Sequence, residues 1–268
     1  MRPLSEQTIL VTGATDGLGR HLAGELARRG ATVVAHGRDA AKLRTLRTEL
    51  GVETERADLA ELRQVDRLAE EILQRYDRLD VLVNNAGVGS GAEPAAREES
   101  ADGVELRFAV NYLAGYHLTR KLLPLFSAPA RIVNVASAGQ QEIDFADPLL
   151  HESYDGGRAY RQSKLAQVMF TVDLAEELQG SGITVNTLHP ATFMPTTMVL
   201  ETGTAPHSTL DEGAEATLRL ITSGDLDDVS GRYFAGTRLA EPHWQATHPK
   251  ARENLRLLSD ELVAAALS

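Results

Sequence analysis

Ile9-Leu10-Val11-Thr12-Gly13-Ala14-Thr15-Asp16-Gly17-Leu18-Gly19-Arg20 is an apolar run broken by three glycines and followed at once by a helical pattern. It predicts a strand, a tight turn and a helix. Gly13 suits the sharp turn, Gly17 lets the main chain come close to a bound group, and Gly19 lets the helix pack on its strand. The free N–H donors and partial positive charge of the helix start then face the gap, which suits a pyrophosphate. The candidates for contact with it are Gly13, Thr15, Asp16, Gly17, Leu18 and Gly19. The spacing is G-x-x-x-G-x-G rather than the commoner G-x-G-x-x-G.

Outward from this turn, short apolar runs alternate with longer amphipathic stretches. Strand candidates lie at 8–11, 32–35, 81–83, 131–135 and 184–188, with a late one at 232–234 and a short one before Asp58. The alternation predicts an α/β protein: a single doubly wound parallel sheet of Rossmann type, about seven strands, with helices on both faces. Ligands of such sheets gather beyond the carboxyl ends of the strands, so the residues just after each strand matter most. With 268 residues and 43% hydrophobic content, the chain can bury one large core, and one domain over 1–268 is expected.

The formal charge of −11 disfavours nucleic acid and an anionic membrane surface as partners. No cysteine is present, which removes disulfides, thiolate metal sites and a thiol nucleophile, and none of the eight histidines has a metal-ligand spacing. The opening residues Met1 to Gln7 lack an apolar core of signal-peptide length, and no apolar run reaches the roughly 18 residues of a membrane span. A soluble, cytoplasmic protein is expected, and a homo-oligomer is left open.

After the second strand comes His36-Gly37-Arg38-Asp39. A ribose with free hydroxyls is usually held by an acidic side chain here, whereas a 2′-phosphate wants a guanidinium. Arg38 therefore favours NADP(H), with NAD(H) the alternative; Asp16 and Asp39 pull the other way, and Asp39 is explained as a helix N-cap. Asp58-Leu59 offers a carboxylate to an adenine amino group, or else Asp58 caps the helix from Ala60. Asn84-Asn85-Ala86-Gly87 closes the fourth strand, where small residues leave room for a ribose or flat ring and the asparagines can lock the turn.

Residues 102–123 read as one long helix, ending ahead of Pro124 and carrying Asn111 on a mostly apolar face. Such an amide is costly unless it finds partners. Ser137 stands at the carboxyl end of a buried strand, where its hydroxyl can hydrogen-bond a substrate oxygen. Tyr160 and Lys164 are four apart and so share one helix face, on a helix running to about Gln179. An ammonium near a phenol favours phenolate, so Lys164 is expected to lower the Tyr160 pKa toward neutrality.

With Thr12-Gly13-x-x-x-Gly17-x-Gly19, Asn84-Asn85-Ala86-Gly87 and Tyr160-x-x-x-Lys164 in this order, the chain resembles the short-chain dehydrogenase/reductase family, single-domain branch, from about residue 7 to 235. The resemblance implies Asn111, Ser137, Tyr160 and Lys164 as catalytic residues, with the Asn111 carbonyl holding a water in a proton relay to Lys164. The alternative for Asn111 is a core amide satisfied by backbone. Lys164 would also grip the nicotinamide ribose, and Asn85, Ala86, Gly87, Tyr160, Pro190 and Thr192 join the cofactor-binding candidates. Where the family usually has Pro-Gly, this chain has Pro190-Ala191, and the threonine that follows is ambiguous among Thr192, Thr196 and Thr197.

The interval of about 139–158 is a candidate substrate loop, and with Tyr160-Arg161-Gln162-Ser163-Lys164-Leu165-Ala166 it looks like the retinol-dehydrogenase-like subgroup. A lid is expected over about 190–212, with Phe193, Met194, Met198, Val199 and Leu200 as its apolar underside, and a C-terminal packing helix over about 249–266. His243 and Trp244 are expected to be structural. The reading is a short-chain NAD(P)-dependent oxidoreductase exchanging a hydride between nicotinamide, NADP(H) favoured, and a small-molecule secondary alcohol or its carbonyl. Its rivals are a sugar-nucleotide epimerase, for which too little chain follows residue 188, and a non-catalytic dinucleotide sensor or interaction protein.

Overall fold

Thr8–Val11 (β1) sends Leu10 to one face of a sheet and Ile9 and Val11 to the other, all three fully buried. A strand that is apolar on both faces has to be covered on both, and the rest of the chain does this. In the computed structural model, which describes residues 1–91, 96–201 and 203–268, β1 lies inside an eight-stranded sheet. In chain order the other elements are α1 (Gly17–Arg28), β2 (Thr32–Gly37), α2 (Ala40–Leu50), β3 (Glu53–Arg56), α3 (Leu62–Arg75) and β4 (Leu79–Asn84). A π-helical turn, Phe108–Leu113, then runs into α4 (Ala114–Leu122), followed by β5 (Phe126–Val135), α5 (Gly156–Glu177) and β6 (Ile183–His189). A short α6 (Thr197–Leu200), α7 (Leu210–Thr222), β7 (Tyr233–Ala235), β8 (Arg238–Ala240) and α8 (Pro249–Leu267) complete it.

The strand order is β3-β2-β1-β4-β5-β6-β7-β8, parallel except for the antiparallel β7–β8 hairpin at the edge. The chain winds one way from β1 to β3 and then returns to place β4 on the other side of β1. That reversal opens a crevice beyond the carboxyl ends of β1 and β4, where a ligand of this fold class binds. Of the two apolar layers, one contains α3, α4, α5 and α8 side chains and the other those of α1 and α7. The sheet thus has eight strands where about seven are expected, because three residues after Gly236 double back as β8.

Residues 102–123 are not one helix. Gly103 takes φ of 76°, Asp102 turns its carboxylate to the backbone N–H of Leu62 at 2.8 Å, and Glu105 accepts from the Phe108 N–H at 2.8 Å. Asp102 thereby serves the start of α3 instead of its own segment, and the helical ladder starts only after Glu105, through the π turn. The tail helix matches its expected range closely. Among the described residues no helix is long and apolar enough to cross a membrane. Thr202, within the expected lid, lies outside the described residues.

Candidate active site

Gly13 and Gly19 build the crevice floor. Gly13 has φ of 65°, a left-handed conformation that a side chain resists, and a Cβ there would lie 2.7 Å from the Ala86 Cα. A Cβ on Gly19 would press into the Gly13 carbonyl oxygen, so only glycine lets α1 approach the turn. Thr12 and Asn85 tie this turn to β4: the Thr12 hydroxyl accepts from the N–H groups of Asn85 (3.0 Å) and Ala86 (3.1 Å), and Asn85 Nδ2 donates to the Thr12 carbonyl at 2.8 Å. Asn85 therefore shapes the cradle from behind. His36, which the sequence reading passed over, braces it from β2: its Nδ1 accepts from the Gly13 N–H at 3.4 Å and its Nε2 meets the Ala57 carbonyl at 3.1 Å. Burial drives its pKa down to about 4, so the ring is neutral and can donate on one side and accept on the other. A histidine inside an otherwise apolar strand was the available signal.

The crevice is a cavity of about 830 Å³ that reaches from Arg38 and Asp58 at one end to Ser137, Tyr160 and Lys164 at the other. All the expected cofactor-binding residues, from Gly13 to Thr192, line it. Asp16 is the N-cap of α1, accepting from the Gly17 N–H at 2.7 Å, and it also accepts from the Thr197 hydroxyl, which holds its carboxyl below the usual range. Arg38 is exposed at the rim, its carbonyl held by Arg56 Nε at 3.1 Å. Asp39 is spent on capping α2, accepting from Ala41 (2.7 Å) and Lys42 (3.1 Å). Lys42 lines the same end and adds a cation that the sequence reading did not assign. Asp58 accepts from the Ala60 N–H at 3.0 Å in a local turn, while α3 itself begins at Leu62.

At the far end stands α5, whose first turn is capped by Asp155 and whose residues from Gln162 to Thr171 are all buried. Such a helix holds its side chains in fixed places. The Ser137 hydroxyl, just beyond β5, lies close enough to the Tyr160 phenol to favour its ionised form and accepts from the Gly139 N–H at 3.1 Å. Lys164 Nζ donates to the Val135 carbonyl (3.0 Å) and Gln167 Oε1 (2.9 Å) and lies 5.8 Å from the centre of the Tyr160 ring. The expected lowering of the Tyr160 pKa is not what this arrangement gives. Burial pushes the phenol up, offset in part by Ser137, and burial pulls Lys164 down to about 7. The ammonium sits by the ring face with its bonds directed elsewhere, so desolvation outweighs attraction.

Asn111 lies one layer behind, on the π turn. Its Oδ1 accepts from the Val88 N–H at 2.7 Å, and its Nδ2 donates to the Val88 carbonyl (3.1 Å) and the Ser163 hydroxyl (2.9 Å). The side chain is thus satisfied by backbone and by α5, and it fixes the chain just after β4. Gly87 suits this place, since a Cβ would stand 3.2 Å from Asn111 Oδ1, tighter than an ordinary contact.

The lid residues Pro190, Phe193, Met194, Met198 and Val199 line the cavity, but Leu200 does not: it is 57% exposed on the outer side of α6. The three candidate threonines separate. Thr192 bonds His189 at 3.0 Å, Thr196 packs on Gly17, and Thr197 bonds Asp16. The expected substrate loop is pinned from two sides. Buried Arg107 binds the Gly89 carbonyl (3.1 Å) and the Tyr154 hydroxyl (2.9 Å), and Gln245 clamps both backbone groups of Ile143 at 2.8 and 2.9 Å. Trp244, 55% exposed, meets His248 edge to face and His243 at a tilt.

A family model described as short chain dehydrogenase matches residues 7–206. Among curated proteins, retinol dehydrogenase 13 of Mus musculus is 35% identical over 98% of this chain and 85% of its own length. Among solved structures, one of an uncharacterized protein from Mycobacterium paratuberculosis superimposes with a TM-score of 0.81 at 30% identity, covering 97% of this chain and 94% of that one. The Pseudomonas aeruginosa RhlG/NADP active-site complex gives a TM-score of 0.70 at 27% identity, with 88% and 97% covered.

Proposed function

The chain belongs to the short chain dehydrogenase family and is an oxidoreductase, and from that premise we propose that it exchanges a hydride between NADP(H) and an apolar carbonyl or alcohol. The observation that carries this reading is that Ser137, Tyr160 and Lys164 line one end of a cavity whose other end holds Arg38 and Lys42. The glycine turn fits a pyrophosphate, because any side chain on Gly13 or Gly19 would strike backbone. Arg38 and Lys42 fit a 2′-phosphate, and the NADP in the RhlG complex supports that preference.

When bound, the nicotinamide supplies or accepts the hydride. Ser137 donates a hydrogen bond to the substrate oxygen and steadies charge developing there. Tyr160 gives that oxygen a proton in reduction or removes one in oxidation. A phenol pushed up by burial stays protonated at neutral pH, which is the state reduction needs; oxidation should gain as pH rises. Lys164 would hold the nicotinamide ribose, and the main-chain carbonyl of Asn111 would hold the relay water. Val88, Phe193, Met194, Met198 and Val199 give the substrate end apolar walls, in keeping with the retinol dehydrogenase named among the relatives. We read the whole chain, 1–268, as one functional unit.

The test is thermal melting with NADPH and with NADH, then turnover on a panel of apolar aldehydes and ketones with 4-deuterated NADPH. The reading expects stronger stabilisation by NADPH and deuterium on the carbinol carbon. Stabilisation by NADH alone would overturn the cofactor assignment, and no transfer across the panel would overturn the substrate class.

A further inference from the structure

Lys164 is held from behind by a residue three positions further along its own helix. Its ammonium donates to Gln167 Oε1 at 2.9 Å, and among the described residues no acceptor pairs with the amide nitrogen of Gln167. Gln167 also lines a small cavity of about 10 Å³, together with Asn84, Asn111, Gly115 and Leu118, which shares Leu59, Ala86 and Val110 with the lining of the large crevice. That is room for a single water molecule. Asn84, one of the lining residues, has a buried acceptor with no partner, Oδ1, while its Nδ2 is already committed to Thr119 (2.9 Å) and Asn134 Oδ1 (2.8 Å). A buried carbonyl oxygen left unpaired is costly, and a water that accepts from an amide N–H and donates to that oxygen removes the cost.

We propose that Gln167 is the positioning residue for Lys164, and that its amide is held in the required orientation by one water shared with Asn84 Oδ1. The proposal deepens the reading of Lys164 as part of the active site. An ammonium needs an acceptor, and an unrestrained amide could turn its N–H groups toward Lys164 and oppose the charge. The water sets the choice: Gln167 donates to it and keeps its carbonyl for the ammonium. Beyond Asn84 the chain of amides continues, Asn84 to Asn134 and Asn134 Nδ2 to the Thr171 hydroxyl at 2.8 Å, which itself donates to the main-chain carbonyl of Gln167 at 2.8 Å. The polar tip of β4 is thereby connected to the helix that carries Tyr160.

Few charges compete for Lys164. The titratable group facing it is Tyr160 on its own helix; β5 presents the Val135 carbonyl, the π turn presents Asn111, and the segment after β4 presents Gly87. Arg161 and His189 line the same crevice, and burial alone accounts for the lowered value of Lys164.

The chain has four lysines, Lys42, Lys121, Lys164 and Lys250, so ¹³Cε-lysine labelling gives four resonances, with Lys164→Met assigning the one in question. The resonance of Lys164 is followed against pH in the whole protein. Its midpoint should rise by about one unit or more in Gln167→Glu, which places a carboxylate on the ammonium, and fall in Gln167→Leu, which removes the acceptor. Gly115→Ala puts a methyl about 3.5 Å from Asn84 Oδ1, inside the cavity, and should move the midpoint in the same direction as Gln167→Leu. An unchanged midpoint in Gln167→Glu, the variant that keeps the hydrogen bond and the fold, would overturn the role of Gln167. An unchanged midpoint in Gly115→Ala would overturn the water. Neither result depends on turnover, so failure here is distinguishable from failure of the oxidoreductase reading.

Discussion

The two walls of the crevice are built by opposite means. The wall formed by the glycine turn is held by Thr12, Asn85 and His36, each hydrogen-bonded to the backbone of a neighbouring strand or its following turn. The lid wall has no buried residue in α6, carries Phe193 at φ of 49° and 46% exposure, and is joined to the opposite wall by the bond from Thr197 to Asp16. The first holds the main-chain N–H groups of the glycine turn in fixed places. The second is packed more weakly, and weakly packed segments open at low free-energy cost.

If this contrast is right, changes in the rigid wall should cost stability and binding together, and changes in the lid should cost little. The largest effect is expected from Gly19→Ala, whose methyl meets the Gly13 carbonyl, a backbone atom unable to step aside; we expect about 1–3 kcal/mol in a denaturant melt and loss of NADPH-induced stabilisation. The His36 effect is of similar size but tied to pH. The unfolded chain takes up a proton near 6.5 and the folded one only near 4, so stability is full above pH 6.5 and declines as pH falls toward 4. That difference is worth about 3 kcal/mol, and the decline should be smaller by this increment in His36→Gln.

At the rim, Arg38→Ala should raise KM for NADPH by roughly 10- to 100-fold with little change for NADH, as for loss of a charge-assisted hydrogen bond. Equal losses with both cofactors would mean that Arg38 serves the fold and not the 2′-phosphate. Smallest is Thr197→Val, expected to cost about 0.5–1 kcal/mol in a melt and to return the Asp16 carboxyl toward its ordinary range. A loss as large as that of Gly19→Ala would erase the distinction between the walls.

Much of the rigid wall was legible in the sequence because its causes are local. Gly13 takes a left-handed turn that its own type allows, Gly19 sits against the Gly13 carbonyl of the same turn, Asp39 caps the helix that begins beside it, and Tyr160 and Lys164 share a face through helical spacing alone. What escaped depends on distant partners. Asp102 spends its carboxylate on Leu62, forty positions away, so the apolar periodicity around it suggested a helix the backbone does not form. His36 earns its place only when Ala57 and Gly13 come together across β2. The Tyr160 pKa followed depth of burial, which no spacing rule reports, and Leu200 fell on the outer side of a helix too short for its face to be read.

Proton transfer by Tyr160 is the claim on which the account turns, and Tyr160→Phe tests it most directly, assayed for carbonyl reduction at saturating NADPH with cofactor affinity measured alongside. The account predicts a fall in kcat of about 10²- to 10⁴-fold with the NADPH dissociation constant nearly unchanged. Undiminished turnover in that variant would contradict it.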